Sequence, residues 1–200
     1  MSVDPRFTPR APADVLSLIR AHPLAWIISR DFQATPLPLL AETDPSGKIV
    51  SLLGHFARRN PQVGALQGDP EALILFQGPQ GYVSPRLVSN PPWGPSWNFA
   101  VVRFEVTINF VPDETDAAVR RLASYLEGAK VTAWQVEAMQ GRYDELLKYI
   151  IAFRARVRAM RATFKLGQDE NDATFGQIVT GLGGSELAQL MAAQRRTTGG

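Results

Sequence analysis

Two hundred residues, 45% of them apolar and 20% charged, describe a globular chain long enough to bury a core without covalent staples. The chain has no cysteine, which excludes disulfides, thiolate zinc sites, iron–sulfur clusters and cysteine nucleophiles. Two histidines, His22 and His55, leave little material for a metal centre, and a net charge of +2 carries no nucleic-acid signature. No apolar run reaches the roughly 20 residues of a membrane helix. Met1 to Arg10 lacks the apolar stretch of a secretory signal, so a cytoplasmic protein is expected.

In chain order, Val15, Leu16, Leu18 and Ile19 predict a short amphipathic helix over Pro12 to Arg20, closed by Pro23. Leu24 to Ser29 reads as a buried strand and Gln33 to Ala41 as a second. The Asp44-Pro45-Ser46-Gly47 turn leads to a third strand, Lys48 to Leu53. Asn60-Pro61 opens a helix through Val63 and Leu66, with asparagine before a proline at the first helical position. Glu71 to Gln77 and Gly81 to Ser84 read as two strands, and the proline-rich Ser89 to Ser96 as a loop. Trp97 to Val111 is a long strand and Asp113 to Glu127 a helix, with a further helical stretch over Thr132 to Leu147. Tyr149 to Met160 alternates, with Phe153, Ala155, Val157 and Ala159 on one face and Arg154, Arg156 and Arg158 on the other, which predicts a half-exposed strand. From Asp172 a final helix is interrupted at Gly181-Leu182-Gly183-Gly184. Antiparallel β structure with peripheral helices, in the form of a small barrel, fits this order. Residues 1–168 form the barrel domain and 169–200 a helical extension expected to pack on a partner subunit.

Four segments carry chemistry. Gly54 to Gln62 runs from a strand through a compact bend into a helix, and it gathers His55, Arg58, Arg59 and Asn60. Two guanidinium groups, the first helical amides and the helix dipole all favour an anion such as a phosphate monoester. Solvated surface arginines, and a histidine held by a structural hydrogen bond, are the plain alternatives. Phe76 to Pro85, with Gln77, turns sharply between two strands, where a planar ligand approaches the main chain or where Tyr82 simply packs on a tight hairpin. Gly94 to Phe99 sets Trp97 beside Asn98, an apolar plate with an amide or a core tryptophan. Thr163 to Asp169 places Lys165 and Gln168 at the exit from the arginine-faced strand.

The segments GHFARRNPQ, LFQGPQGYVSP, PSWNF and FKLGQDEND, in this order and spacing, resemble the PaiB family of FMN-binding negative transcriptional regulators. The similarity extends from Phe7 to about Met191. It implies a flavin-reductase-like split β-barrel, related to pyridoxamine-phosphate oxidase folds, in a homodimer with FMN at the interface. By the same resemblance the bend at Ala57 to Asn60 holds the cofactor phosphate, Gln77 lies near the flavin, and Trp97, Asn98, Lys165 and Gln168 belong to the pocket. The chain departs from the family where Pro36 replaces a histidine, Val63 a tryptophan, Arg86-Leu87-Val88 an aromatic pair and Arg103 a histidine. These changes leave the phosphate contacts in place and weaken flavin stacking.

Three functions are open to such a chain. A flavin-binding dimer in sensing or regulation is favoured by the motif order. An FMN-dependent oxidoreductase acting on a small molecule has only His55 as a titrating group near the bend. Direct DNA binding has no helix-turn-helix or basic arm behind it, only the Arg154, Arg156, Arg158 face, which reads more readily as a solvated edge or a subunit salt-bridge seam than as a phosphate contact.

Overall fold

A computed structural model describes residues 4–89, 92–128 and 134–195. The strands are β1 (Leu24–Ser29), β2 (Ala34–Pro38), β3 (Leu40–Thr43), β4 (Ile49–Ala57), β5 (Glu71–Val83), β6 (Ser96–Phe110) and β7 (Ile150–Lys165). The helices are α1 (Pro12–Ala21), α2 (Pro61–Gly68), α3 (Thr115–Glu127), α4 (Gly141–Leu147), α5 (Asp172–Gly181) and α6 (Glu186–Gln194). Seven strands form an antiparallel sheet in the order β2-β1-β5-β6-β7-β4-β3. The chain divides into two compact units, the first of Met1–Leu18, Gln77–Val102 and Arg161–Gly200, the second of Ile19–Phe76 and Arg103–Met160.

In the second unit, alternating apolar residues turn Ile27, Leu52, Phe56, Ile74, Phe104 and Phe153 into a fully buried core. Phe56 and Phe153 stack at 5.1 Å between ring centroids, with Phe110 6.3 Å from Phe56. Thr115 joins α3 to this sheet: its Oγ1 accepts from the Ala152 amide at 3.1 Å and donates to the Pro112 carbonyl at 2.7 Å. The single strand expected over Gln33 to Ala41 is two. The chain bends at Leu39, which is buried and whose amide donates to the Pro23 carbonyl at 2.9 Å, so that β2 pairs with β1 and β3 with β4. β2 ends one side of the sheet and carries Pro36 and Pro38. β3 ends the other side, with four residues and a register shift at Glu42/Thr43. β4 is longer than expected and continues through His55 to Ala57.

In the first unit, the turn expected between Gln77 and Gly81 is absent and β5 is one continuous strand. Glycine and proline are tolerated there because the β1 register ends at Phe76, and beyond it β5 keeps β6 as its strand neighbour. A side chain at Gly78 would come within 2.8 Å of Leu18, so the close packing of α1 requires glycine. β7 likewise runs on to Lys165, making Thr163 to Lys165 strand rather than an exit loop. The final helix is two, α5 and α6, separated where Gly183 takes a left-handed φ of 63°. Asn171 caps α5 by accepting from the Thr174 amide at 2.9 Å, and Ser185 caps α6 through the Ala188 amide at 3.2 Å. Leu187 and Met191 of α6 pack inside this unit, Leu187 over Gly81 and Met191 beside Asn98, so only the other face of α6 is left for a partner. The helical stretch expected over Thr132 to Leu147 is a 3-10 turn at Val136–Met139 followed by α4, and Thr132 lies outside the described residues.

Candidate functional site

The bend between β4 and α2 is rigid for local reasons. The Arg58 amide donates to the Tyr149 carbonyl at 2.8 Å and the Asn60 amide to the Ala57 carbonyl at 2.9 Å. Asn60 caps α2 as its sequence predicts, its Oδ1 accepting from the Gln62 amide at 2.9 Å, while its Nδ2 donates to Thr35 Oγ1 at 3.0 Å. Gln62, fully buried, then ties the helix start to β1: its Nε2 lies 2.9 Å from the Ile27 carbonyl, 3.0 Å from that of Gln33 and 3.2 Å from Ser29 Oγ.

These bonds correct one expectation. The helix amides of Gln62 and Val63 are already engaged by Asn60, so the side-chain donors that an anion finds at the bend are the guanidinium groups. Arg58 and Arg59 are exposed, and neither forms an ion pair among the described residues. Both line a cleft of about 810 Å³, walled by α3, residues 134–139, α4 and the start of β7. Its apolar stripe, Val136, Met139, Tyr143 and Leu147, has helical spacing and was legible as such, yet none of these residues was singled out.

His55 sits at the end of β4 opposite Ala152 of β7. Its Nδ1 is buried with no hydrogen-bond partner among the described residues, and burial holds the imidazole below its ordinary value of 6.5. The unfolded chain therefore binds this proton more tightly than the folded chain. The stability that the neutral ring contributes is complete above a pH of about 6.5 and is lost as pH falls through the folded value. Between pH 7.5 and 5, the melting temperature of the wild type should fall further than that of His55→Gln. Parallel curves would show that the ring does not titrate in this window.

The remaining sequence-predicted residues belong to the first unit. Gln77 is exposed on β5. Trp97 is half exposed, its Nε1 donating to Gln80 Oε1 at 2.6 Å and its ring 6.1 Å from that of Tyr82. Asn98 is buried, with its amide 3.5 Å from Met191 Sδ. Lys165 Nζ donates to Ser96 Oγ at 3.0 Å. Gln168 closes the turn after β7, accepting from the Leu166 amide at 2.7 Å and donating to the Phe164 carbonyl. Gln168 thus has both polar atoms engaged within the chain and Asn98 its Nδ2, whereas Gln77 and the face of Trp97 are open to a ligand.

The arginine face of β7 is a seam of ion pairs within the chain. Arg154 meets Glu42 at 2.9 Å and Glu114 at 2.5 Å, Arg121 meets Glu42 at 2.7 Å, and Arg158 meets Glu71. Burial pushes the Glu42 carboxyl up, but the guanidinium groups of Arg154 and Arg121 outweigh it and hold the group below its ordinary value. Among the described residues, no cluster of acidic and histidine side chains could hold a metal ion, and no helix is long and apolar enough to cross a membrane.

Comparison with known proteins places this geometry. Residues 1–159 match the family described as "Putative FMN-binding domain". The chain belongs to this family. Within it, the protease synthase and sporulation protein PAI 2 of Bacillus subtilis is 27% identical over 151 residues, covering 70% of this chain and 71% of the relative, which agrees with the PaiB-type resemblance of the motifs. The flavocytochrome Anf3 of Azotobacter vinelandii superposes with a TM-score of 0.60 at 12% identity, covering 77% of this chain and 67% of that one. The FAD and heme binding protein of Mycobacterium smegmatis does so with 0.54 at 17% identity, covering 86% and 78%. The architecture of this FMN-binding-family chain is the split β-barrel with peripheral helices.

Proposed function

We propose that the protein binds FMN as a homodimer, with the flavin phosphate held by Arg58 and Arg59, and serves as a regulator of the PaiB type. The observation that carries the reading is the bend itself: among the described residues, two guanidinium groups without carboxylate partners on a bend fixed by four hydrogen bonds, three and four residues beyond a histidine whose buried Nδ1 has no partner. Such donors fit a phosphate dianion, which accepts several charge-assisted hydrogen bonds at once. The family description and the flavin-binding neighbours support the same ligand. Flavin, when bound, supplies redox chemistry and visible absorbance. The chain's own arginines orient it by holding the phosphate. The regulatory role rests on PaiB kinship. Arg154 and Arg158 are already paired with carboxylates, which leaves Arg156 as the exposed guanidinium of that face without an ion pair among the described residues.

Titration of purified protein with FMN tests the reading. Saturable quenching of flavin fluorescence is expected, with at least tenfold weaker binding in Arg58→Ala/Arg59→Ala. Riboflavin, which lacks the phosphate, should bind the wild type more weakly and ignore the double substitution. Equal affinity for FMN in wild type and variant would remove the phosphate role from this bend. Sedimentation equilibrium reads the dimer.

A further inference from the structure

The cleft beside the bend carries chemistry that phosphate binding does not use. At about 810 Å³ it has the size of a small-molecule site. Val119 and Ala123 of α3, Val136, Met139, Tyr143 and Leu147 make its wall apolar. Arg58, Arg59 and Lys148 supply its polar charge, and no carboxylate among the described residues lines it. Lys148 is paired with Glu145 at 2.6 Å, so the demand for an anion falls on the two arginines. Trp134 at 42%, Leu146 at 42% and Tyr149 at 67% exposure cluster around the same opening. Large apolar side chains left together in water mark a place that something covers. An inorganic anion would satisfy the arginines and leave that apolar wall wet. An apolar cation would cover the wall and be repelled at the arginines.

We propose that this cleft binds a small apolar monocarboxylate, with its carboxylate on Arg58 and Arg59 and its alkyl or aryl body against α3 and α4. The site shares two arginines with the proposed flavin phosphate contact but does not depend on flavin being bound. Trp134 is the one tryptophan that lines the cleft among the described residues, so its emission reports occupancy.

Flavin-free protein titrated with decanoate should show a saturable change in emission that is absent from Trp134→Phe, while calorimetry shows that variant still binding. Decylammonium at the same concentrations should produce no saturable change. Arg58→Ala/Arg59→Ala should bind decanoate at least tenfold more weakly, and so should Ala123→Phe, which fills the apolar wall but keeps wild-type affinity for FMN. No saturable decanoate response, or an equal response to decylammonium, overturns the proposal. Joint loss of FMN and decanoate binding in a folded Ala123→Phe would assign the cleft to the flavin and overturn it as well. Should Ala123→Phe not fold, the exposed arginine pair decides alone, and unchanged decanoate affinity there is equally fatal. Wild type that binds decanoate but not FMN would count only against the flavin reading, and wild type that binds FMN but not decanoate only against this one.

Discussion

Gln62→Leu should destabilise the protein by about 2 kcal/mol, because the Ile27 carbonyl and Ser29 Oγ lose a buried donor and an unsatisfied buried group costs about 1–3 kcal/mol, while the Gln33 carbonyl keeps the Ser29 amide at 3.0 Å. The side chain is fully buried and its Nε2 serves the Ile27 and Gln33 carbonyls and Ser29 Oγ. Leucine fills similar space without a donor. Part of the loss is offset, since Gln62 Oε1 is itself buried without a partner among the described residues and disappears with the substitution. For a chain of this size the melting temperature should drop by roughly 4–8 °C, read by circular dichroism. Gln62→Glu should be worse, since it keeps the acceptor and adds a charge to a site with nothing to neutralise it. A shift of less than 2 °C for leucine would mean that the β1–α2 tie is not held by this amide. Because Gln62 anchors the helix that follows Arg58 and Arg59, FMN affinity should weaken in parallel.

The second large effect is in the aromatic core. Phe153→Ala should cost about 3–5 kcal/mol, the usual range for emptying a buried phenylalanine. The ring is fully buried, 5.1 Å from Phe56 and 6.4 Å from Phe110. Gly54, its register partner on β4, explains why that space exists: a Cβ there would lie 3.1 Å from the Phe153 ring and 2.4 Å from Leu39 Cδ2. Gly54→Ala alone should therefore cost about 1–3 kcal/mol through overpacking. In the Phe153→Ala background the added methyl enters part of the vacated volume. The double variant should be more stable than the sum of the singles by at least about 0.5 kcal/mol, the scale of coupling between residues in contact. Strict additivity in urea denaturation would show that glycine at 54 answers to Leu39 alone.

How far the chain could be read before its structure was known depends on where each signal came from. β6 alternates buried and half-exposed residues from Asn98 to Ile108, and its hydrophobic period was visible in the sequence. The Asn60-Pro61 start of α2 was equally local, and so was the gathering of His55, Arg58 and Arg59 by adjacency. Tertiary context decided the rest. Gly78 and Pro79 looked like a turn because turn chemistry is judged from neighbours in sequence, whereas the end of β1 pairing at Phe76 allows them in a strand. For Asn98 the sequence does not show its neighbour Met191, which packing alone brings beside the amide. The arginine face of β7 read as charge for solvent or a partner because Glu42, Glu71 and Glu114 lie far away along the chain.

Both flanks of the sheet are closed to growth. On the β2 side, prolines at 36 and 38 fall on alternate residues, so both missing amides belong to one flank of the strand. On the β3 side, four residues and a bulge offer too short and too twisted a template for a newcomer to zip along. Copies of this protein can therefore be crowded together, as during high expression, without stacking edge on edge into fibrils. Whatever assembly they form must be made by side chains rather than by backbone.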